Sequence, residues 1–186
     1  MKKIIIAVTG ASGSIYAKQL IDSLTVYKSQ IEQVGIVFSE NAKDIWNHEI
    51  STFSNFSTEF NIYDNKDFNA PFASGSAKWD SMVICPCSVG ILGRISNGIS
   101  SDLITRAADV ILKERKRIVA VVRETPYNLI HIENMKQFIL AGGIVCPATP
   151  SFYTKPTSIE NLVQTVIDRV LDLIQIEIES PRWGKL

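Results

Sequence analysis

The feature that most restricts the fold is a repeated switch of hydrophobic period. Short, wholly apolar runs alternate with longer segments whose apolar residues recur at helical spacing, from one end of the chain to the other. A run without polar alternation is what a strand shows when both its faces are covered, as in a parallel sheet packed between helices. The reading predicts strands at residues 3–8, 34–38, 82–85, 118–122 and 144–146. Helices are expected at 14–27, 41–48, 89–95, 103–114, 130–140 and 158–174. Strand-like runs alternating with helix-like runs imply an α/β domain with a mainly parallel sheet and helices on both faces. The 186 residues suffice for one such domain, spanning 1–186, with a core that needs neither disulfides nor metals.

Charge and cysteine usage narrow the partners. Nineteen Lys and Arg balance nineteen Asp and Glu. No global field draws nucleic acid or an anionic membrane, so a bound anion must be held by local groups. Met1-Lys2-Lys3 followed by an apolar run looks like the start of a signal peptide. The run is shorter than the roughly seven residues of such a segment, and a Gly-Ser turn follows at once. No apolar stretch reaches the roughly 18 residues of a membrane span. Cys85, Cys87 and Cys146 are odd in number and expected to be reduced thiols, which places the chain in the cytoplasm.

In an open parallel sheet, ligands bind beyond the carboxyl ends of the strands, so the residues after each apolar run matter most. After the first come Thr9-Gly10-Ala11-Ser12-Gly13-Ser14, with glycines for a tight turn and hydroxyls and amides for a phosphate or ring edge. The bland reading is a strand-to-helix turn with a serine cap. Two glycines do not make a dinucleotide fingerprint. Ser39 follows the second run and Pro86-Cys87-Ser88-Val89-Gly90 the third, again suited either to a flat ligand or to helix caps. Cys85 and Cys87 read as small buried residues rather than as a nucleophile or zinc ligands. Arg123 closes the fourth run, and a guanidinium there needs either an anionic ligand or a salt bridge to an acid such as Glu124. Arg106 and Lys113 lie seven apart on one helix face, with Asp109 on the same stripe as a competing partner. Arg169 sits among apolar residues of the last helix. Between residues 51 and 76, Phe53, Phe56, Phe60, Tyr63, Phe68 and Phe72 follow no period. They suit either a connection anchored by aromatics or a subunit interface.

Several blocks occur together in order: Thr9-Gly10-Ala11-Ser12-Gly13, Ala73-Ser74-Gly75-Ser76, Pro86-Cys87-Ser88, and the helix from Arg106 to Arg115. Arg123-Glu124-Thr125-Pro126, Pro150-Ser151-Phe152-Tyr153 and Arg182-Trp183 complete the set. As a set they resemble the UbiX family of flavin prenyltransferases over essentially the whole chain. The resemblance implies a Rossmann-like three-layer sandwich holding FMN, in a dodecameric homo-oligomer whose subunits share active sites. It implies that Gly10, Ala11, Ser12, Ser39, Ser88, Val89, Gly90, Ile91, Arg106 and Arg123 hold FMN. It implies that Lys113, Arg123, Glu124, Tyr153, Arg169 and Trp183 surround dimethylallyl monophosphate. Catalytic roles fall to Glu49, Ser12, Lys113 and Glu124. The implied reaction joins a dimethylallyl group to N5 and C6 of reduced FMN, giving prenylated FMN for a partner decarboxylase of the ubiquinone or aromatic-acid type. No aspartate-rich motif that would hold magnesium on a diphosphate is visible, which fits metal-independent ionisation of a monophosphate. Val89-Gly90-Ile91 and Phe72 depart slightly from the family pattern.

Two alternatives stand beside this. One is an FMN-dependent cysteine decarboxylase of the related family, against which Ala73-Ser74-Gly75-Ser76 lacks the expected Asn. The other is a non-catalytic FMN carrier, which would consume no dimethylallyl phosphate.

Overall fold

The computed structural model describes residues 1–182 together with Gly184. Strands β1 (Lys2–Val8), β2 (Ile31–Phe38), β3 (Asn61–Tyr63), β4 (Ser81–Cys87), β5 (Arg117–Val122) and β6 (Ile144–Val145) form one sheet in the order β3-β2-β1-β4-β5-β6. Every adjacent pair is parallel. The crossovers carry α1 (Ser14–Val26), α2 (Glu40–Glu49), α3 (Val89–Ser96), α4 (Leu103–Lys113) and α5 (Leu129–Leu140), and α6 (Ile159–Leu173) closes the set.

The apolar runs now have a cause. Ile4, Ile6 and Val8 of β1 pack under α1, α6 and Trp46 of α2, while Ile5 and Ala7 pack under α3 and α4 on the other face. Alternate residues therefore feed opposite layers, and neither set can be polar. Each fully buried Ile contributes roughly 1.5–3 kcal/mol by leaving water. This is the three-layer α/β sandwich expected from the sequence.

The edges differ from the sequence reading. β3 was not expected; it is three residues of an edge strand with Ile62 exposed, too short and polar to show as an apolar run. β4 runs on through Pro86 to Cys87, and its register with β5 shifts between Ile84 and Cys87. A residue without an N–H is tolerated where the ladder breaks step. β6 stops before Cys146, although the Cys146 N–H still donates to the Ala120 carbonyl at 2.9 Å.

The aromatic segment resolves as an anchored connection. Phe53 and Phe56 close on Phe38 with ring centroids 4.7 and 5.4 Å away, and Phe56 lies 4.9 Å from Trp46. Phe72 is wholly buried between Tyr63 and Trp79, with centroids 5.0 and 5.1 Å apart. Gly35 of β2 makes room for it, because a Cβ there would stand 2.7 Å from the Phe72 ring. Phe68, half exposed, is the aromatic of this segment left for an external contact. α5 behaves differently. Only Phe138 of that helix is buried, while Leu129, Ile130 and Leu140 are 73%, 70% and 76% exposed.

Since Phe72 fills space beneath the β2–β3 edge, Phe72→Ala should lower unfolding stability by roughly 3–5 kcal/mol. Urea denaturation measures it. A loss below about 1 kcal/mol would show that the 71–79 segment does not belong to the cooperative core.

Candidate active site

β1 sends its crossover to β2 on one side and β4 sends its crossover to β5 on the other. The crevice between their carboxyl ends is where such sheets receive ligands. Its floor is fixed by Thr9, which is buried. The Thr9 hydroxyl donates to the Pro86 carbonyl at 2.8 Å and accepts from the Ser88 N–H at 2.9 Å.

The turn above this floor is tight for two reasons. Gly10 faces the second helix so closely that a Cβ would lie 2.6 Å from Asn41 Cβ. Gly13 adopts φ 110°, ψ 34°, a left-handed conformation that side chains rarely take. Gly13 is also the N-cap of α1 and has no side-chain cap of its own. The cap comes from another helix. Glu49, the last residue of α2, accepts from the Gly13 and Ser14 N–H groups through one oxygen, each at 2.8 Å. Partial burial works against its charge, but hydrogen bonds from the Ser12 hydroxyl, the two amides and the Ser14 hydroxyl outweigh it. The carboxyl is held below the usual range.

The other strand ends supply caps. Ser39 accepts from the Ala42 N–H at 3.2 Å and Ser88 from the Ile91 N–H at 3.4 Å. Val89, Gly90 and Ile91 form the first turn of α3. Nothing lies within 4 Å of where a Gly90 Cβ would stand, so its backbone is open to a flat ligand. Arg123 follows β5 directly, its N–H donating to the Cys87 carbonyl at 3.1 Å. Its guanidinium is exposed and makes no ion pair among the described residues. Glu124 instead accepts from the Thr125 N–H at 2.9 Å, so the internal salt bridge is not formed.

A second group lies elsewhere. Tyr153 and Arg169 line a groove of about 610 Å³ along α6 together with Arg182. Arg169 points to solvent, while its neighbours Val166 and Val170 are buried. Burial raises the Asp168 carboxyl in the same groove; the Gln164 amide opposes that rise and Asp172 adds to it. Trp183 lies outside the described residues.

The third group is Arg106 and Lys113 on α4. Arg106 donates from Nε to the Ala73 carbonyl at 3.1 Å and pairs with Asp109 at 3.4 Å. Lys113 pairs with Glu114 at 2.7 Å rather than with Asp109. Lys113 ends the helix just before β5 begins, so it lies toward the amino ends of the strands, away from the crevice of its own chain. Glu114 fills the space over Gly75, where a Cβ would meet its Oε1 at 2.3 Å.

Sequence reasoning gave Thr9 no role beyond its place in the turn and passed over Tyr16. Tyr16 sits half-buried under Gly13, three residues on. Burial and Cys85 raise its hydroxyl pKa, and nearby Arg123 opposes the rise. A hydroxyl directly after an apolar strand, and an aromatic in the first turn after the glycines, were the available signals. Burial pushes the Cys87 thiol up to about 12 and Cys85 well above its ordinary value, so neither is a ready nucleophile.

Comparison with known proteins gives the family and the fold. The flavoprotein family model matches residues 1–171. The flavin prenyltransferase UbiX of Methanocaldococcus jannaschii is 42% identical over 187 residues, covering 98% of each chain. Two solved structures superpose closely. AnUbiX (PadA1), in complex with FMN and dimethylallyl pyrophosphate, has a TM-score of 0.86 and 34% identity over 97% of this chain and 98% of that one. A dodecameric FMN-dependent UbiX-like decarboxylase from Escherichia coli O157:H7 gives 0.88 and 33% over 97% of both chains.

Because the Glu49 carboxyl is depressed on folding, its contribution to stability is complete above the unfolded value near 4.3. It is lost as pH falls through the lower folded value. The Tm gap between the parent and Glu49→Gln should therefore be constant at neutral pH and narrow as pH falls below the unfolded value. A gap independent of pH across that window would mean that the carboxylate cap does not form.

Proposed function

The chain belongs to the flavoprotein family and, within it, to the UbiX-type flavin prenyltransferases; from that premise we propose that its β1–β4 crevice receives reduced FMN and that the chain prenylates it with dimethylallyl monophosphate. The observation that carries the reading is the crevice itself. Close-approach Gly10, open Gly90 and the Ser39 and Ser88 hydroxyls, which accept in their caps and keep their own protons to donate, suit a flat ligand rich in acceptors. Reduced FMN supplies the nucleophilic N5 and then C6.

The chain's own groups act on the leaving phosphate and on the charge that develops. Lys113, Arg169 and Tyr153 stabilise charge gathering on the departing phosphate without a metal, while Ser12, whose hydroxyl is bonded to Glu49, keeps that carboxylate in place. Arg123 has its guanidinium uncommitted at the end of β5 and steadies an anion at the rim. Arg106 is tied to Ala73 and Asp109 and shapes the wall rather than presenting a free cation. Glu49 is anchored by two amides and held below the usual carboxylate range, so it suits a fixed negative charge better than a strong base. Removal of the final proton then falls more naturally to Glu124 or to the phosphate itself.

The three groups of donors point different ways in one chain, and α5 exposes apolar residues. Both features favour a homo-oligomer in which a neighbour brings Lys113 to the crevice; the UbiX-like relative from Escherichia coli is a dodecamer. The product would then pass to a decarboxylase that uses it. The cysteine decarboxylase alternative is not favoured, since relatives that match end to end are prenyltransferases.

The test is anaerobic incubation with reduced FMN and dimethylallyl monophosphate, followed by mass spectrometry of the flavin. A flavin gaining one prenyl unit is expected. Bound FMN left unmodified while the donor persists would leave only a carrier. Sharing has its own test. Lys113→Ala and Arg169→Ala should each lose at least about tenfold in turnover. Mixed oligomers of the two should regain activity in up to roughly a quarter of the sites. Mixtures no better than either variant would place both groups in one subunit's site.

A further inference from the structure

Arg169 and Asp172 stand three residues apart on α6, a spacing at which opposite charges on a helix meet. Among the described residues they do not pair. Asp172 is held instead by Arg182, ten residues on, with Nη2 donating to Oδ1 at 2.9 Å and Nη1 donating to Oδ2. Asp168, the other acid of the groove, accepts from Gln164 Nε2 at 2.8 Å. Both acids are thus engaged by partners other than Arg169, which makes no ion pair among the described residues.

As far as Glu177 the tail is held without Arg182. Ile174 and Ile176 are buried in the core. The Gln30 amide clamps the Glu177 backbone from both sides, accepting from its N–H at 2.9 Å and donating to its carbonyl at 2.8 Å. A two-pronged guanidinium–carboxylate pair outcompetes a single contact along a helix. Removing it would leave Asp172 free to turn toward Arg169, three residues back on the same helix.

We propose that Arg182 is a positioning residue for the donor phosphate: by engaging Asp172 it keeps that carboxylate off Arg169 and leaves the Arg169 guanidinium for the anion. The inference rests on the proposed function, in which Arg169 meets that phosphate. It assigns different work to two arginines of one groove, one to the ligand and one to the competing acid.

The expected order is specific. Arg182→Gln should raise KM for dimethylallyl monophosphate roughly three- to tenfold, the size expected when one uncompensated charge stands about a helical turn from a phosphate dianion. Asp172→Asn should stay near the parent, and Arg182→Gln combined with Asp172→Asn should return to it. A mere tie for the tail would make both single variants equally poor and the double variant no better. Calorimetric titration of the FMN-loaded protein with inorganic phosphate should give the same order of affinities. An unchanged KM in Arg182→Gln, or a double variant as weak as Arg182→Gln alone, overturns the inference. If the parent transfers no prenyl group while phosphate affinities keep this order, the charge competition stands and the prenyltransferase reading fails.

Discussion

The Thr9 hydroxyl ties together the two strands whose separation makes the crevice. A single oxygen donates to the Pro86 carbonyl and accepts from the Ser88 N–H, fully out of water. Valine would fill the same space and leave the Ser88 amide without that acceptor, at a cost of about 1–3 kcal/mol. With the strand ends locked, the turn of Gly10 to Gly13 and the first turn of α3 start from fixed points. The Ser39 N–H on the Val8 carbonyl and the Arg123 N–H on the Cys87 carbonyl extend the same fastening to β2 and β5, at 3.0 and 3.1 Å. The rim is therefore a rigid frame rather than a set of independent loops.

On that frame, helix ends do electrostatic work. α1 begins at a glycine that offers amides but no cap, and α2 ends in the carboxylate that supplies one. The exchange ties the ends of two crossovers together and places a fixed negative charge at the mouth of the crevice. The cations follow a different logic. Among the described residues the Arg123 and Arg169 guanidinium groups pair with no acid, while those of Arg106 and Arg182 are matched to acids of their own chain. A site that must hold phosphate needs some guanidinium groups left free. The pairing pattern is the physical means of choosing which.

The layers were legible in the sequence because burial on both faces leaves no room for polar alternation in β1, β4 or β5. β3 was not, because three half-exposed residues at an edge carry no period. The aromatic segment gave two readings, and only packing on Phe38, Trp46 and Trp79 decides for the connection. Ser39 and Ser88 were visible as strand-end hydroxyls, and they are indeed helix caps. Glu49 was legible only through the family resemblance. Its role as a cap depends on two helices distant in sequence meeting at Gly13, and no local pattern encodes that. The same holds for Asp172, whose partner lies beyond the end of its helix.

In the proposed function the flavin lies over the Thr9-locked crevice, and the donor phosphate is gathered by cations from more than one copy of the chain. A crystal structure of the protein with FMN and dimethylallyl monophosphate tests it most directly. The flavin should lie along Gly10–Gly13 and the first turn of α3. The phosphate should be met by Arg123, with Lys113 arriving from a neighbouring subunit. A flavin bound away from the β1–β4 ends, or a phosphate held by groups of a single chain with Lys113 remote from every site, would contradict it.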